Sequence, residues 1–232
     1  MSIRILCCSD THGTVPPIVD ERSVVAWLHG GDVTDGPSAL GDGSDPLKDP
    51  LRNAPARWFA DRTIPVFAVH GNHDTVDEYH AFKRATAVDG AILQIAPGLF
   101  VAGIGWNGAR YFELPLEADL RPVCRSVQRQ ADLKLGSADK LILLTHYPPR
   151  FSTLRDVPGD CDGGGIWYDC VREIVESLKP LAVVQGHVHK WFRSSHTIQV
   201  GGQNVLIVSP GPLGAVLMVD LDRNEATHEW IE

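Results

Sequence analysis

IRILCCSDTH, residues Ile3–His12, is the stretch that decides the fold, because an apolar run ends there directly at two polar side chains. The run is short and rich in large apolar residues, so it predicts a buried β-strand. Asp10 and His12 follow at the point where this strand must end. A carboxylate and an imidazole are both common metal ligands, so the end of the strand is a candidate metal site.

The same arrangement of an apolar run followed by polar side chains recurs along the chain. Val24–Leu28 precedes Asp32, Ile64–Val69 precedes Asn72 and His73, Leu141–Leu144 precedes His146, and Leu181–Val184 precedes His187 and His189. Ligands of open α/β sheets gather at the carboxyl ends of the strands. We therefore expect five strand ends to meet at one site.

The segments between these runs predict the rest of the architecture. Apolar residues at helical spacing predict helices at Leu51–Arg62, Val76–Thr86, Val123–Leu135 and Trp167–Leu178. Short runs joined by Gly- and Pro-rich turns predict antiparallel hairpins at Ala91–Ile95 with Leu99–Ile104, and at Thr197–Val200, Val205–Ser209, Ala215–Leu221 and Ala226–Ile231. Gly36–Pro50 and Tyr147–Gly165 read as long loops. The pattern indicates two β-sheets flanked by helices, in one domain spanning residues 1–232.

Composition narrows the class of protein. The chain has 232 residues, 44% hydrophobic and 22% charged, and no apolar run approaches the ~20 residues that cross a bilayer. A net charge of −8 without a Lys/Arg cluster argues against broad capture of nucleic acid. The five cysteines are odd in number and unclustered, as expected for reduced thiols in a cytoplasmic protein.

The order of the motifs is more specific than any one of them. Asp-x-His, Gly-Asp-x-x-Asp, Gly-Asn-His-Asp, a strand-terminal His and Gly-His-x-His follow one another across nearly the whole chain. This pattern resembles the calcineurin-like metallophosphoesterase family. The resemblance implies a four-layer α/β/β/α sandwich with a dinuclear metal centre at its strand ends.

The resemblance also implies a ligand set, carried over motif by motif. One ion would be held by Asp10, His12, Asp32 and His189, and the other by Asp32, Asn72, His146 and His187. Asp32 would then bridge the two ions. The two-residue spacing of His187 and His189 puts both on one face of an extended chain, whereas a loop could splay them toward different ions.

Two further residues are implied to act without binding metal. His73 would face the scissile phosphate and protonate the leaving oxygen, and Asp35 would orient its imidazole. Asp74 is interpreted instead as the N-cap of a helix starting near Thr75. The implied reaction is attack on phosphorus by a hydroxide that bridges the two ions.

Substrate and metal are less constrained by the sequence. Asp35 is followed by Gly36 and not by the Arg-Gly of protein Ser/Thr phosphatases, and no cap domain is evident. We therefore expect a phosphodiesterase acting on a small phosphorylated or nucleotide-type substrate, with a phosphomonoesterase as the alternative and a non-catalytic scaffold as a weaker one. The donor set admits Mn²⁺, Fe²⁺/Fe³⁺, Zn²⁺ or Co²⁺.

Several side chains could contact the substrate or serve only the fold. Trp106 and Asn107 follow an apolar run, and Tyr147, Arg150 and Arg155 belong to the loop after His146. An aromatic ring could stack on a base, and an arginine could bind a phosphate. The sequence leaves these roles open, together with the oligomeric state.

Overall fold

A computed structural model of the chain describes residues 2–16, 20–33, 58, 61–74, 85–106, 114–151 and 167–232. Its strands are β1 (Ser2–Cys8), β2 (Val24–His29), β3 (Val66–Ala68), β4 (Ala85–Ala87), β5 (Ile92–Ala96), β6 (Leu99–Ile104), β7 (Lys140–Thr145), β8 (Ala182–Gln185), β9 (Ser194–Val200), β10 (Gln203–Ser209), β11 (Ala215–Asp220) and β12 (Glu225–Trp230). Two α-helices lie wholly within the described residues, α1 (Glu117–Lys134) and α2 (Asp169–Leu178), and 3₁₀ turns lie at Glu21–Ser23 and His189–Trp191.

The strands form two mixed sheets of six strands each, which we call the first and second sheets. The first sheet has the order β12-β11-β1-β2-β3-β4, and β1 to β4 are parallel neighbours within it. The second has the order β5-β6-β7-β8-β10-β9, and β6, β7, β8 and β10 are parallel. The remaining pairs are antiparallel: β12 with β11 and β11 with β1 in the first sheet, and β5 with β6 and β10 with β9 in the second. The parallel centre of each sheet therefore directs its carboxyl ends to one edge.

The two sheets pack face to face over a shared apolar core. Ile5, Leu28 and Phe67 of the first sheet pack with Ile142 and Val184 of the second, and all five are buried. Alternate residues of the same strands face outward, because side chains of a strand point to opposite sides in turn. The outer face of the second sheet is covered by α1 and α2 through Leu120, Val127, Val171 and Ile174.

The predicted two-sheet sandwich is confirmed, and some predicted elements change. Helix α1 begins six residues before the predicted Val123, because the Asp119 carboxylate accepts the Leu116 N–H at 2.8 Å and Leu120 is buried. The predicted helix Val76–Thr86 is wrong at its end, where Ala85 and Thr86 pair with β3 in parallel register. Its remainder lies outside the described residues, as does most of Leu51–Arg62.

Four of the five cysteines lie in the described residues. Cys7, Cys8, Cys124 and Cys170 are buried and form no disulfide, and Cys161 lies outside the described residues. Across the described part of the chain, no helix combines the length and apolar character needed to cross a membrane.

Candidate metal centre

The predicted ligands come together at the carboxyl ends of five strands. Asp10 follows β1 and Asp32 follows β2, while Asn72, His146 and His187 follow β3, β7 and β8. The loops after β1 and β2 run side by side, since the Asp10 N–H donates to Gly31 O at 2.9 Å and the His12 N–H to Asp32 O at 3.0 Å. The two sheets also meet here through a bond from His146 Nδ1 to Gly30 O at 2.8 Å. One site thus draws on both sheets.

Asp10, His12 and His189 form one compact group of donors. Nε2 of His12 lies 3.1 Å from Nε2 of His189, which lies 3.7 Å from Oδ1 of Asp10. One ligand atom from each residue lies within 4.8 Å of the others. These three residues belong to the set that the sequence predicts for one ion.

Asp32 lies at the centre of the remaining donors. Its Oδ2 is 3.4 Å from Nε2 of His146 and 3.8 Å from Nε2 of His12. Nε2 of His146 is also 3.1 Å from Oδ1 of Asn72. The Asp32 side chain therefore stands between histidines that the sequence predicts for different ions.

His187 and His189 point to different parts of the site. The His189 ring lies 5.0 Å from the His12 ring, whereas the His187 ring lies 5.0 Å from the His146 ring. His187 has a positive φ of 72°, and the 3₁₀ turn begins at His189. Of the two predicted alternatives, the structure has the one in which the histidines point in different directions, because this backbone is not extended.

His73 also enters the cluster. Its ring lies 4.6 Å from the His12 ring, and its Nε2 lies 4.0 Å from Oδ2 of Asp32. His12, Asp32 and His73 form a second group whose ligand atoms lie within 4.8 Å of one another. The position of His73 is therefore compatible with metal binding and with proton transfer. Asp35, its predicted partner, lies outside the described residues.

The ligand loops adopt backbone conformations that side chains rarely accept. Asp10, His12, Asp32 and His187 all have φ between 45° and 72°. For residues other than glycine this left-handed region costs of order 1 kcal/mol, and such residues cluster at functional sites. The surrounding contacts therefore hold the four ligands in place against their local preference.

Asp74 makes some of the contacts that fix the backbone of the ligand loops. Its buried carboxylate accepts the backbone N–H of Gly71 at 2.9 Å, of Asp32 at 2.7 Å and of Val33 at 2.8 Å. One side chain thus joins the loop after β2 to the loop after β3. The helix for which Asp74 was predicted as N-cap falls on residues from Thr75 onward, which lie outside the described residues, and sequence reasoning missed this bridging role.

Glycine is required where these loops approach one another. A Cβ on Gly31, whose φ is 91°, would lie 2.6 Å from Nδ1 of His146. A Cβ on Gly71 would overlap Oδ1 of Asp32. Both positions therefore need the smallest residue to let a ligand side chain fit.

Two hydrogen-bonded pairs, one buried and one partly buried, lie behind the ligands and were not predicted. The Thr11 hydroxyl donates to Val33 O at 3.1 Å and lies 3.1 Å from Nε2 of His29. The Asp89 carboxylate accepts the His70 N–H at 3.0 Å and lies 2.5 Å from Nδ1 of the same residue. No motif spacing marks these pairs, because each joins residues 18 or 19 positions apart in the chain.

Burial sets the protonation of the groups in the cluster. It raises the pKa of Asp10 to about 7, and it lowers the pKa of His187 to about 4 and that of His146 well below the usual histidine value. Because carbonyl oxygens only accept, Nδ1 of His146 carries the proton toward Gly30 O and Nε2 keeps its lone pair. His146 and His187 are therefore neutral imidazoles near pH 7.

The donor set fits metal ions. Metal bonds to His nitrogen and carboxylate oxygen are about 2.0–2.2 Å long, so neighbouring ligand atoms of one ion lie roughly 3–3.5 Å apart. The His12–His189 and His146–Asp32 separations, 3.1 and 3.4 Å, fall in this range. Oxygen and imidazole donors suit divalent first-row metals, and His146 already has the backbone partner that orients such ligands.

The proposed substrate contacts have mixed outcomes. Tyr147 is buried, with its ring 4.9 Å from the His146 ring, so it packs behind that ligand. Trp106 is half-buried against the core under α1. Arg150 pairs with Asp169 at 3.2 Å and donates to Trp167 O. Asn107 and Arg155 lie outside the described residues.

Solved structures share this architecture. The chain aligns with the crystal structure of TT1561 from Thermus thermophilus at 15% identity, with a TM-score of 0.63 and full coverage of both chains. It aligns with the phosphopantetheinyl hydrolase PptH of Mycobacterium tuberculosis at 13% identity, with a TM-score of 0.57, covering 91% of this chain and 90% of that one. These likenesses show the fold.

The sequence itself identifies the family. No curated protein matches the chain significantly. The family model of calcineurin-like phosphoesterases matches residues 3–191, which contain all seven predicted metal ligands and His73. The chain therefore belongs to the calcineurin-like phosphoesterase family of metal-dependent hydrolases.

Proposed function

We propose that this protein is a dinuclear metal-dependent phosphodiesterase that acts on a small phosphorylated or nucleotide-type substrate. The observation that carries the proposal is the position of Asp32. Its Oδ2 lies between 3.4 and 4.0 Å from imidazole nitrogens of His146, His12 and His73. A carboxylate offers two oxygens, so it can serve two ions at once.

The residues divide into two ligand groups. Asp10, His12, Asp32 and His189 would hold one ion, and Asp32, Asn72, His146 and His187 the other. When bound, such ions neutralise phosphoryl oxygens and lower the pKa of coordinated water. Nδ1 of His146 carries the proton and burial keeps the ring neutral, so its Nε2 lone pair is available to a metal ion near pH 7.

His73 is proposed to hold and deliver the proton that the departing oxygen needs. Its backbone N–H donates to Oδ1 of Asp32 at 2.9 Å, which fixes the residue beside the proposed bridge. The side chain is half-buried at the cluster, within reach of a phosphoester placed there. A positioned imidazole contributes roughly 10²–10⁴-fold as a general acid.

A small substrate agrees with the charge of the chain. The net charge of −8 opposes broad binding to nucleic acid backbones. The positive charge of bound metal ions would be confined to the cluster, which suits a substrate with a single phosphoester group.

The test combines metal analysis with a substrate panel. The purified protein is assayed with Mn²⁺, Fe²⁺, Zn²⁺ or Co²⁺ on bis(p-nitrophenyl) phosphate and on p-nitrophenyl phosphate, then on cyclic nucleotides, mononucleotides and sugar phosphates. We expect about two ions per chain and faster turnover of the diester. Preference for the monoester would make the protein a phosphomonoesterase. A protein that binds no metal and hydrolyses none of these substrates would favour the scaffold.

A further inference from the structure

The metal cluster is open on one side. The side chain of His189 is 56% exposed, whereas those of Asp10, Asp32 and His146 are at most 2% exposed. His189 is therefore the most exposed of these four side chains, and the side on which it lies is one approach to the cluster.

An aromatic ring flanks this open side. The Phe192 ring lies 4.8 Å from the His189 ring at an angle of 32°. Phe192 is only half-buried, so part of its ring remains accessible beside the ligand. The exposed edge of the cluster thus begins with an apolar surface.

A second apolar side chain lies on the loop that continues this edge. The position of a Cβ on Gly211 would be 2.6 Å from Cγ of Phe192, so the two residues are in contact. Gly211 O also accepts the N–H of Ser9, the residue before Asp10, at 3.1 Å. The loop is therefore fixed between the first and last ligand motifs, and it carries Leu213, which is 49% exposed.

Exposed leucines are common on protein surfaces, but here their distribution is informative. Among the described residues, the large exposed apolar side chains are Val15, Leu116, Leu133 and Leu213. Val15 comes three residues after His12, and Leu213 lies on the loop bound to Ser9 and Phe192. Leu116 and Leu133 lie at the two ends of α1. Of this set, Leu213 is the one on the loop that contacts Phe192 and holds Ser9 beside Asp10.

We propose that Phe192 and Leu213 form an apolar wall that binds the organic substituent of the phosphoester. This inference rests on the proposed function and specifies its substrate class as an ester that carries an aryl group or a similarly large apolar group. The phosphate would lie at the cluster, and the organic substituent would pack against the wall and be removed from water. A larger apolar substituent would bind more tightly than a small one, because the free energy gained by burial increases with the apolar area removed from water.

The test compares two diesters with the same leaving group. Bis(p-nitrophenyl) phosphate keeps an aryl substituent after cleavage, and methyl p-nitrophenyl phosphate keeps a methyl group. Leu213→Ser is expected to lower the ratio of their kcat/KM values about fivefold, mainly through KM for the aryl ester. Leu133→Ser, at an exposed leucine far along α1, is the matched control and should leave the ratio unchanged. An unchanged ratio in Leu213→Ser overturns the proposal.

A binding measurement separates this proposal from the proposed function. Calorimetric titration of the metal-loaded protein with phenylphosphonate and methylphosphonate requires no turnover. We expect wild type to bind the phenyl compound at least about fivefold more tightly, and Leu213→Ser to narrow that difference. Equal affinities in wild type contradict the wall even if both diesters are hydrolysed. If wild type prefers phenylphosphonate, Leu213→Ser reduces that preference, and neither protein hydrolyses a diester, then only the proposed function is contradicted.

Discussion

Nδ1 of His146, a residue of the loop after β7, donates to the carbonyl oxygen of Gly30 at the end of β2. This bond joins the two sheets at their carboxyl ends and fixes one tautomer of a fully buried imidazole. Its Nε2 is thereby presented to Asn72 and Asp32, at 3.1 and 3.4 Å. The packing of the sandwich thus determines the orientation of a predicted metal ligand.

Gly31→Ala tests that dependence on packing. The new Cβ would lie 2.6 Å from Nδ1 of His146, so we expect the ring to be displaced and metal content and melting temperature both to fall. Gly202→Ala is the matched control, because Gly202 also has a positive φ, 85°, but no heavy atom lies within 4 Å of its added Cβ. Metal analysis and thermal melts of both variants decide the matter. Equal effects would mean that backbone strain alone matters.

Asp74→Asn tests the bridge between two ligand loops. An amide has one acceptor oxygen where the carboxylate has two, and both oxygens of Asp74 accept backbone N–H groups. A buried donor left without an acceptor costs about 1–3 kcal/mol. We expect the free energy of unfolding of the metal-free protein to fall by about 2 kcal/mol, as measured by urea denaturation.

The control for this change is Asp222→Asn, at an exposed position in the β11–β12 turn. It alters the net charge equally and should shift the free energy of unfolding by less than about 0.5 kcal/mol. A loss as large as that of Asp74→Asn would show that charge, and not the bridging contacts, is responsible.

His73→Ala separates proton transfer from metal binding. Loss of a general acid should lower kcat by roughly 10²-fold or more while metal content stays normal. His228→Ala, on strand β12 of the first sheet, is the control and should retain full activity. Loss of an ion in His73→Ala would instead make His73 a ligand, in agreement with its place in a cluster with His12 and Asp32.

Asp89→Asn tests the pair behind the loop after β3. The substitution keeps the shape of Asp89 but removes the negative charge that faces Nδ1 of His70. Since His70 precedes Gly71 and Asn72, we expect kcat to fall several-fold with little change in KM. Steady-state kinetics at saturating metal checks this, and a rise in KM alone would contradict a positioning role.

Local sequence patterns predict the strand ends and the residues that lie there, because burial of a strand and the chemistry of a ligand are both local properties. They do not predict the directions of His187 and His189. Those depend on the positive φ of His187, which the bond from its N–H to Oδ1 of Asp10 helps to hold. Strand β4 shows the same limit, since its residues pair with β3 despite helical spacing. The role of Asp74 depends on contacts across 42 residues, which no local pattern encodes.

The central claim is that Asp32 bridges two ions in a phosphodiesterase, and metal stoichiometry of wild type and Asp32→Asn tests it most directly. The asparagine keeps the size of Asp32 but lacks the second carboxylate oxygen and the charge. We predict about two ions per chain and bis(p-nitrophenyl) phosphate turnover in wild type, with both ions weakened and turnover abolished in the variant. A variant that keeps both ions and near-normal turnover would contradict the account.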